Sequence, residues 1–205
     1  MPEATIDLPL SFQVPEVFRD INLGISAEEN TNKLIDDLKT LTPRPSDEDI
    51  ARAAVSQQSM YEMLSAAGAV YAGILLTGPS QDAPEQTLSS LLLTVTARPS
   101  ELSNDRTVHR LARTMGAIYP EAEVGVVNLH TGPAVVLTEE TKVERPVNLL
   151  ADDTSPTFVR QMHIFVPVPG RTAMADFSIA TENIAAWDDY VDIIGGVCKT
   201  ITFTN

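Results

Sequence analysis

The sequence contains little cysteine, few aromatic residues and few positive charges, and each shortage excludes a class of site. A single cysteine, Cys198, excludes an internal disulfide framework and a cysteine-rich zinc site. Its place in the predicted last strand indicates a small buried hydrophobic residue, with a nucleophile as the minority interpretation. Aromatic residues make up 5% of the chain, so we expect a core of aliphatic side chains and methionine.

Acidic residues outnumber basic residues by 28 to 14, which gives a formal net charge of −14. Nucleic acids and anionic membranes bind clusters of Lys and Arg, and the sequence has no such cluster. We therefore expect neither as a partner. The simplest interpretation of the acidic surface is solubility, and the sharper one is a basic protein partner.

Signals for membrane insertion or export are also absent from the sequence. No apolar run approaches the roughly twenty residues that a transmembrane helix needs. The first residues lack the basic start and apolar core of a signal peptide, which favours a cytoplasmic location. The length of 205 residues and the 43% hydrophobic content allow a sizeable core, and we predict one α+β domain over residues 1–205.

Recognisable catalytic motifs are missing. The sequence has no Gly-x-Ser-x-Gly elbow and no glycine-rich phosphate loop. His109, His130 and His163 are the candidates for acid–base chemistry near neutral pH, but none has a second histidine at zinc-ligand spacing. Each is predicted to be structural, although a Ser-His-Asp triad of distant residues stays open. We predict no catalytic, cofactor-binding or metal-binding residue and no cofactor.

Hydrophobic periodicity predicts the order of the elements. Those of the first part are a strand at 6–14, helices at 26–41 and 46–67, strands at 70–77 and 88–97, and a helix at 104–118. Pro9 favours an edge position for the first strand, and Ser26 with Glu29 forms a capping-box pattern at the start of the first helix.

The C-terminal part begins with strands at 124–129 and 134–138, followed by the polar stretch 139–153 with one short strand at 143–149. After it come a hairpin of strands 161–169 and 173–181, a helix at 182–194 that Gly195 and Gly196 end, and a strand at 197–203. The predicted fold is α+β, a single twisted antiparallel sheet with three to four packed helices.

Two groups of large side chains have both a structural and a functional interpretation. Trp187 lies on an apolar helical stripe, which predicts a core residue rather than a ligand platform. The second helix carries a broad apolar surface of Met60, Tyr61, Met63 and Leu64. Core packing is the leading interpretation, and an adaptable surface for a partner is the alternative.

Three C-terminal segments carry a family resemblance. They are Asn128-Leu-His-Thr-Gly-Pro-Ala-Val-Val136, His163-Ile-Phe-Val-Pro-Val-Pro-Gly170 and Phe177-Ser-Ile-Ala-Thr181, the last leading to a helix that contains tryptophan. Together they resemble actinobacterial proteins of Mog1p/PsbP-like fold. The resemblance implies a mostly non-enzymatic group: partners of small GTPases, photosystem assembly subunits, secretion-linked chaperones and lipoproteins. No functional residue transfers, because the matched positions are structural, and the chain has no lipidation signal.

The leading hypothesis for function is a non-enzymatic protein-binding adaptor or chaperone, related to secretion or assembly. One alternative is a hydrolase-like enzyme with a distributed site that contains a histidine. Another is a structural subunit of a larger complex, with the sheet edge or the second helix as its contact. The two N-terminal helices and the polar stretch 139–153 are the expected places for a functional surface, whereas the partner's identity and the oligomeric state stay undetermined.

Overall fold

The computed structural model describes residues 9–40, 44, 46–77, 89–100, 105–143 and 157–204. The helices are α1 (Ala27–Thr40), α2 (Asp47–Ala66), α3 (Asp105–Ile118) and α4 (Trp187–Cys198), the last preceded by a 3-10 turn at Ile184–Ala186. The strands are β1 (Leu10–Ser11), β2 (Arg19–Asp20), β3 (Ala69–Thr77), β4 (Ser89–Pro99), β5 (Glu123–Leu129), β6 (Gly132–Val143), β7 (Thr157–Pro167), β8 (Ala173–Thr181) and β9 (Thr202–Phe203). The α+β class is therefore confirmed.

Seven of the strands form one sheet in the order β2-β3-β4-β8-β7-β6-β5, and every pair of neighbours is antiparallel. The hairpin of β7 and β8 lies in the middle of this sheet, between β4 and β6. Strands β1 and β9 pair with each other in a separate two-stranded sheet. The sequence thus predicts the antiparallel pairing correctly, whereas the second small sheet was not expected.

One face of the large sheet, the α4 face, carries the main core. The alternating residues Ile164 of β7 and Phe177 of β8 are buried there against Trp187 and Ile194 of α4. The ring of Phe12 packs edge to face on that of Phe177, with centroids 5.2 Å apart. The prediction that Trp187 belongs to the core is therefore confirmed.

The other face, the α2–α3 face, has two smaller clusters. Leu64 of α2 is buried with Ala72 of β3, and Val108 of α3 is buried with Val135 of β6. Of the apolar surface predicted on the second helix, Met60, Tyr61 and Leu64 pack inward and Met63 is 67% exposed. Core packing thus accounts for most of that surface.

The C-terminal helix and strand differ from the prediction. The helix α4 continues through Gly195 and Gly196 to Cys198, and the last strand is confined to Thr202–Phe203. Each glycine costs a helix about 1 kcal/mol relative to alanine, but the buried side chains of Val197 and Cys198 repay that cost by packing on the sheet. Cys198 is a buried hydrophobic residue as expected, although it lies on a helix. Burial raises the pKa of its thiol to about 11.

The lengths of β1 and β6 also differ from the prediction. Strand β1 covers only Leu10–Ser11 of the predicted 6–14, and residues 6–8 lie outside the described residues. Strand β6 continues to Val143 instead of ending at residue 138, because its polar half keeps the backbone ladder with β7. The short strand predicted at 143–149 lies outside the described residues apart from Val143, which belongs to β6.

The start of the first helix agrees with the capping pattern. The side-chain Oγ of Ser26 accepts a hydrogen bond from the backbone N–H of Glu29 at 3.1 Å. Helix α1 begins at Ala27, the residue after Ser26. This bond satisfies one of the N–H groups that a helix leaves without a partner in its first turn.

Replacing Phe177 with alanine tests how much the core on the α4 face contributes to the stability of the fold. Phe177 is fully buried, so Phe177→Ala removes a large side chain and leaves a cavity. We expect the free energy of unfolding to fall by about 3–5 kcal/mol in urea denaturation. The matched control is Phe158→Ala, since Phe158 is 51% exposed; similar losses for the two variants would contradict the assignment of the core.

Candidate functional site

The centre of the α2–α3 face is not covered by any helix in the described part of the chain. Helix α2 packs over β3, and α3 packs over β5 and β6, so β4, β8 and β7 lie between them. Neighbouring strands are about 4.8 Å apart, which separates the two helix axes by about 20 Å. Since a helix with side chains is about 10 Å wide, the described helices leave a trough about 10 Å across between α2 and α3, which the hydrophobic cluster of α3 borders at Phe165 and Met174.

The floor of this trough is polar. Alternate residues of a strand face opposite sides of a sheet. On β4, β7 and β8, the residues that alternate with those of the α4 face therefore point into the trough. Six of them form a group that we call the polar stripe: Thr94, Thr96, Arg98, His163, Asp176 and Ser178. The stripe crosses three adjacent strands at the middle of the sheet.

Asp176 is the centre of the polar stripe. Its side chain is 1% exposed, and its Oδ2 accepts a hydrogen bond from Arg98 Nε at 2.8 Å. The Nδ1 of His163 lies 3.0 Å from Oδ1 and 3.2 Å from Oδ2. A buried carboxylate is stable only when its charge is paired and its oxygens are hydrogen-bonded. The carboxylate therefore holds Arg98 and His163 side by side.

The ring of His163 has a defined orientation. It stacks on Phe165 with centroids 5.6 Å apart and an angle of 7° between the planes. A carboxylate only accepts hydrogen bonds, so a neutral His163 carries its proton on Nδ1 and presents Nε2 as an acceptor. Among the described residues Nε2 has no hydrogen-bond partner. A histidine held in this way by a carboxylate is the arrangement that orients a general base in hydrolases.

A nucleophile is not aligned with His163. Ser178 lies directly opposite His163 in the strand register, but its Oγ is hydrogen-bonded to Thr94 Oγ1 at 2.6 Å. The described residues therefore contain a His–Asp pair without an assembled Ser-His-Asp triad. The enzyme hypothesis therefore stays a prediction: His163 is paired with a carboxylate, but no nucleophile is aligned with it among the described residues.

A cavity of about 310 Å³ lies beside the stripe, between α3 and the sheet; we call it the α3 cavity. Its apolar wall consists of Met115, Leu137, Phe165 and Met174. Its polar lining consists of Arg98, Tyr119, Glu139 and His163. Arg98 and His163 thus belong both to the polar stripe and to a partly open cavity large enough for a small ligand.

A second concave region of about 310 Å³ lies at the outer edge of the sheet, where β5 begins. It is lined by Glu121, Glu123, Thr138, Glu139, Glu140 and Arg160. Acidic side chains dominate this edge, and the guanidinium of Arg160 is also drawn over the Trp187 ring at 4.8 Å. The described residues contain no group of three or more side chains suited to bind a metal ion.

The other residues that the sequence singles out are not brought into this site. His109 is exposed on α3 and His130 is exposed in the turn between β5 and β6. Of the three histidines, the structure pairs only His163 with an acid among the described residues.

Sequence reasoning did not identify Asp176 and Arg98 as candidates. A signal was present, because polar residues alternate with apolar ones at 94, 96 and 98 and again at 176 and 178. Central strands with a helix on each face are normally apolar on both sides. Polar alternation in strands this far from the sheet edges indicates a face that no helix covers.

Comparison with protein-family models, curated proteins and solved structures finds no match to this chain. The Mog1p/PsbP-like relationship is therefore still a prediction, and the function must be argued from the geometry. No helix within the described ranges combines the length and hydrophobicity that crossing a bilayer requires.

Replacing Asp176 with asparagine tests the centre of the polar stripe. Asp176→Asn puts a buried amide against Arg98 and His163, and we expect the free energy of unfolding to fall by about 1–3 kcal/mol. The matched control, Asp37→Asn, breaks the exposed ion pair with Arg19 and should change the free energy of unfolding by less than about 0.5 kcal/mol. NMR of the ring nitrogens should place the proton of neutral His163 on Nδ1; a proton on Nε2 would contradict the assigned geometry.

Proposed function

We propose that the protein is a non-enzymatic adaptor or chaperone of Mog1p/PsbP-like fold that binds another protein by adding a strand to β5. The observation that carries this proposal is the open outer edge of the sheet at β5. Strand β5 is seven residues long and pairs only with β6 among the described residues. An extended segment of a partner adds to such an edge through backbone hydrogen bonds.

The register shows which backbone groups of β5 are available. Asn128 lies opposite Pro133, which has no N–H, so this position is a non-hydrogen-bonded pair of the antiparallel ladder. Since hydrogen-bonded and non-hydrogen-bonded pairs alternate, the N–H and C=O groups of Val124, Val126 and Asn128 point away from β6. Three consecutive outward positions are enough to hold a short partner strand.

Among the described residues, the edge at β5 also lacks several features that usually prevent pairing. Natural edges are blocked by lysine, proline or bulges, and β5 has none of these in its regular register with β6. Its exposed Val127 adds an apolar contact at the middle of the strand. The acidic side chains at its start, including Glu121 and Glu123, favour a basic partner strand through charge complementarity.

The kind of partner that we propose rests on the composition of the chain. A net charge of −14 supports a basic protein as the partner and argues against nucleic acid or anionic membrane. A cytoplasmic location is part of the same proposal. Secretion or assembly of the partner is the process that the family resemblance suggests.

A proline at position 128 of β5 tests whether the partner binds by adding a strand. Asn128→Pro removes an N–H that points away from β6, so the fold should be kept while the addition of a strand is blocked. The matched control is Asn128→Thr, which keeps the N–H. In pull-downs from the source organism's lysate, we expect the wild type and Asn128→Thr to recover one stoichiometric basic protein, with recovery by Asn128→Pro at least about 10-fold lower.

Further measurements separate the outcomes. High salt should release the partner, because its attraction to the acidic edge is screened. Equal recovery by Asn128→Pro and Asn128→Thr, at equal melting temperatures, would exclude β5 as the binding edge. A homo-oligomer on sizing chromatography that Asn128→Pro dissociates would instead support the alternative of a structural subunit.

A second candidate function, a hydrolase-like enzyme, is favoured by the pairing of His163 with Asp176. In this role Nε2 of His163 would remove a proton from a water molecule or from Ser178 as the oxygen attacks an acyl carbon. Ser178 would first have to exchange its hydrogen bond to Thr94 for one to His163.

Hydrolysis of p-nitrophenyl butyrate tests this second function. The wild type should exceed the buffer rate, and His163→Gln should lower the catalysed rate about 100-fold or more, the usual contribution of a general base. The matched control is His130→Gln, since His130 is exposed in a turn. A wild-type rate equal to that of buffer, or equal rates for the two variants, would exclude this function.

A further inference from the structure

We propose that the α3 cavity is a binding site for a small organic monocarboxylate with an apolar body. This proposal is independent of strand addition at β5, and it requires binding without turnover. It rests on three observations: a guanidinium edge that has no partner among the described residues, an apolar wall and the separation of charges along the cavity.

The first observation is the state of the Arg98 side chain. Its Nε donates to Asp176, while its two terminal nitrogens have no partner among the described residues. The carboxylate of Asp176 fixes the guanidinium plane, so the terminal nitrogens are oriented before a ligand arrives. A guanidinium recognises carboxylates through paired N–H donors. His163, held by the same carboxylate, also lines the cavity.

The second observation is the composition of the wall. Apart from its polar lining, the cavity is formed by two methionines, a leucine and a phenylalanine. Methionine side chains adapt their shape to aliphatic ligands. A volume of about 310 Å³ lies at the small end of ligand cavities. The site therefore suits a short aliphatic chain rather than a large cofactor.

The third observation is the position of Glu139, the other charged group in the lining besides Arg98. The guanidinium of Arg98 is held at Asp176, which lies opposite Phe165 of β7, whereas Glu139 lies opposite Gln161. The four residue steps from Gln161 to Phe165 span about 13 Å of strand. A second carboxylate at the other end of a short ligand would therefore approach Glu139 and be repelled.

The test uses three probes of equal chain length with the wild-type protein: hexanoate, the hexylammonium ion and the dicarboxylate adipate. In ¹H–¹⁵N NMR titrations we expect saturable shifts with hexanoate at residues that line the α3 cavity. Hexylammonium and adipate should bind at least about 10-fold more weakly, because one lacks the anion and the other places a charge near Glu139. Equal affinity for hexanoate and hexylammonium, or shifts confined to other surfaces, would overturn the proposal.

Variants test whether Arg98 binds the carboxylate of the ligand and whether the ligand occupies the α3 cavity. Arg98→Gln should weaken hexanoate binding about 10-fold or more, while Arg113→Gln, which removes the same charge from an exposed position on α3, should not. Since Arg98→Gln also removes a partner of buried Asp176, Met115→Trp provides a second test that fills the cavity and leaves the polar stripe intact. Unchanged hexanoate affinity in Met115→Trp would overturn the assignment of the cavity. Asn128→Pro should keep hexanoate binding, so failure of either proposal is distinguishable from failure of the other.

Discussion

The pairing of β8 with β4 on one side and β7 on the other is the constraint on which the rest of the structure depends. Both ladders run along most of β8, and its residues alternate between two different environments. Phe177 points into the core under α4, and its neighbours Asp176 and Ser178 point into the trough. A shift of one residue would place Asp176 in the apolar core and Phe177 in the trough, so the two faces specify one register.

The polar stripe and the trough have a common physical cause. A helix can cover a sheet only where both surfaces are apolar, and α2 and α3 do so over the apolar residues of β3 and β6. The centre carries a buried carboxylate that needs charged or hydrogen-bonding partners rather than aliphatic ones. Arg98 and His163 supply them, and their remaining polar groups face the space between the helices. The surface that is least suited to packing is therefore the one with groups available to a ligand.

Much of the fold could be predicted from local pattern, and most of the site could not. Alternation in β7 and β8 identifies Ile164 and Phe177 as core residues, because a half-buried strand repeats every two residues. It also places His163 on the face opposite that core. The bond between Arg98 and Asp176 joins residues that are 78 positions apart, and no local pattern reveals that β4 lies beside β8. The ending of the helix at Gly195 was predicted wrongly for a related reason, since packing of the next turn outweighs the intrinsic cost of glycine.

By itself, the sequence determined the α+β class, the antiparallel hairpins, the faces of the central strands and the burial of Trp187 and Cys198. These follow from period, turn residues and hydrophobicity, which act over a few neighbouring positions. Only the tertiary structure decided that β8 lies between β4 and β7, and that β5 forms the outer edge. It also brought Asp176 together with His163 and Arg98 beside a cavity. Such contacts depend on the order of strands in the sheet, which is set by the packing of the whole chain.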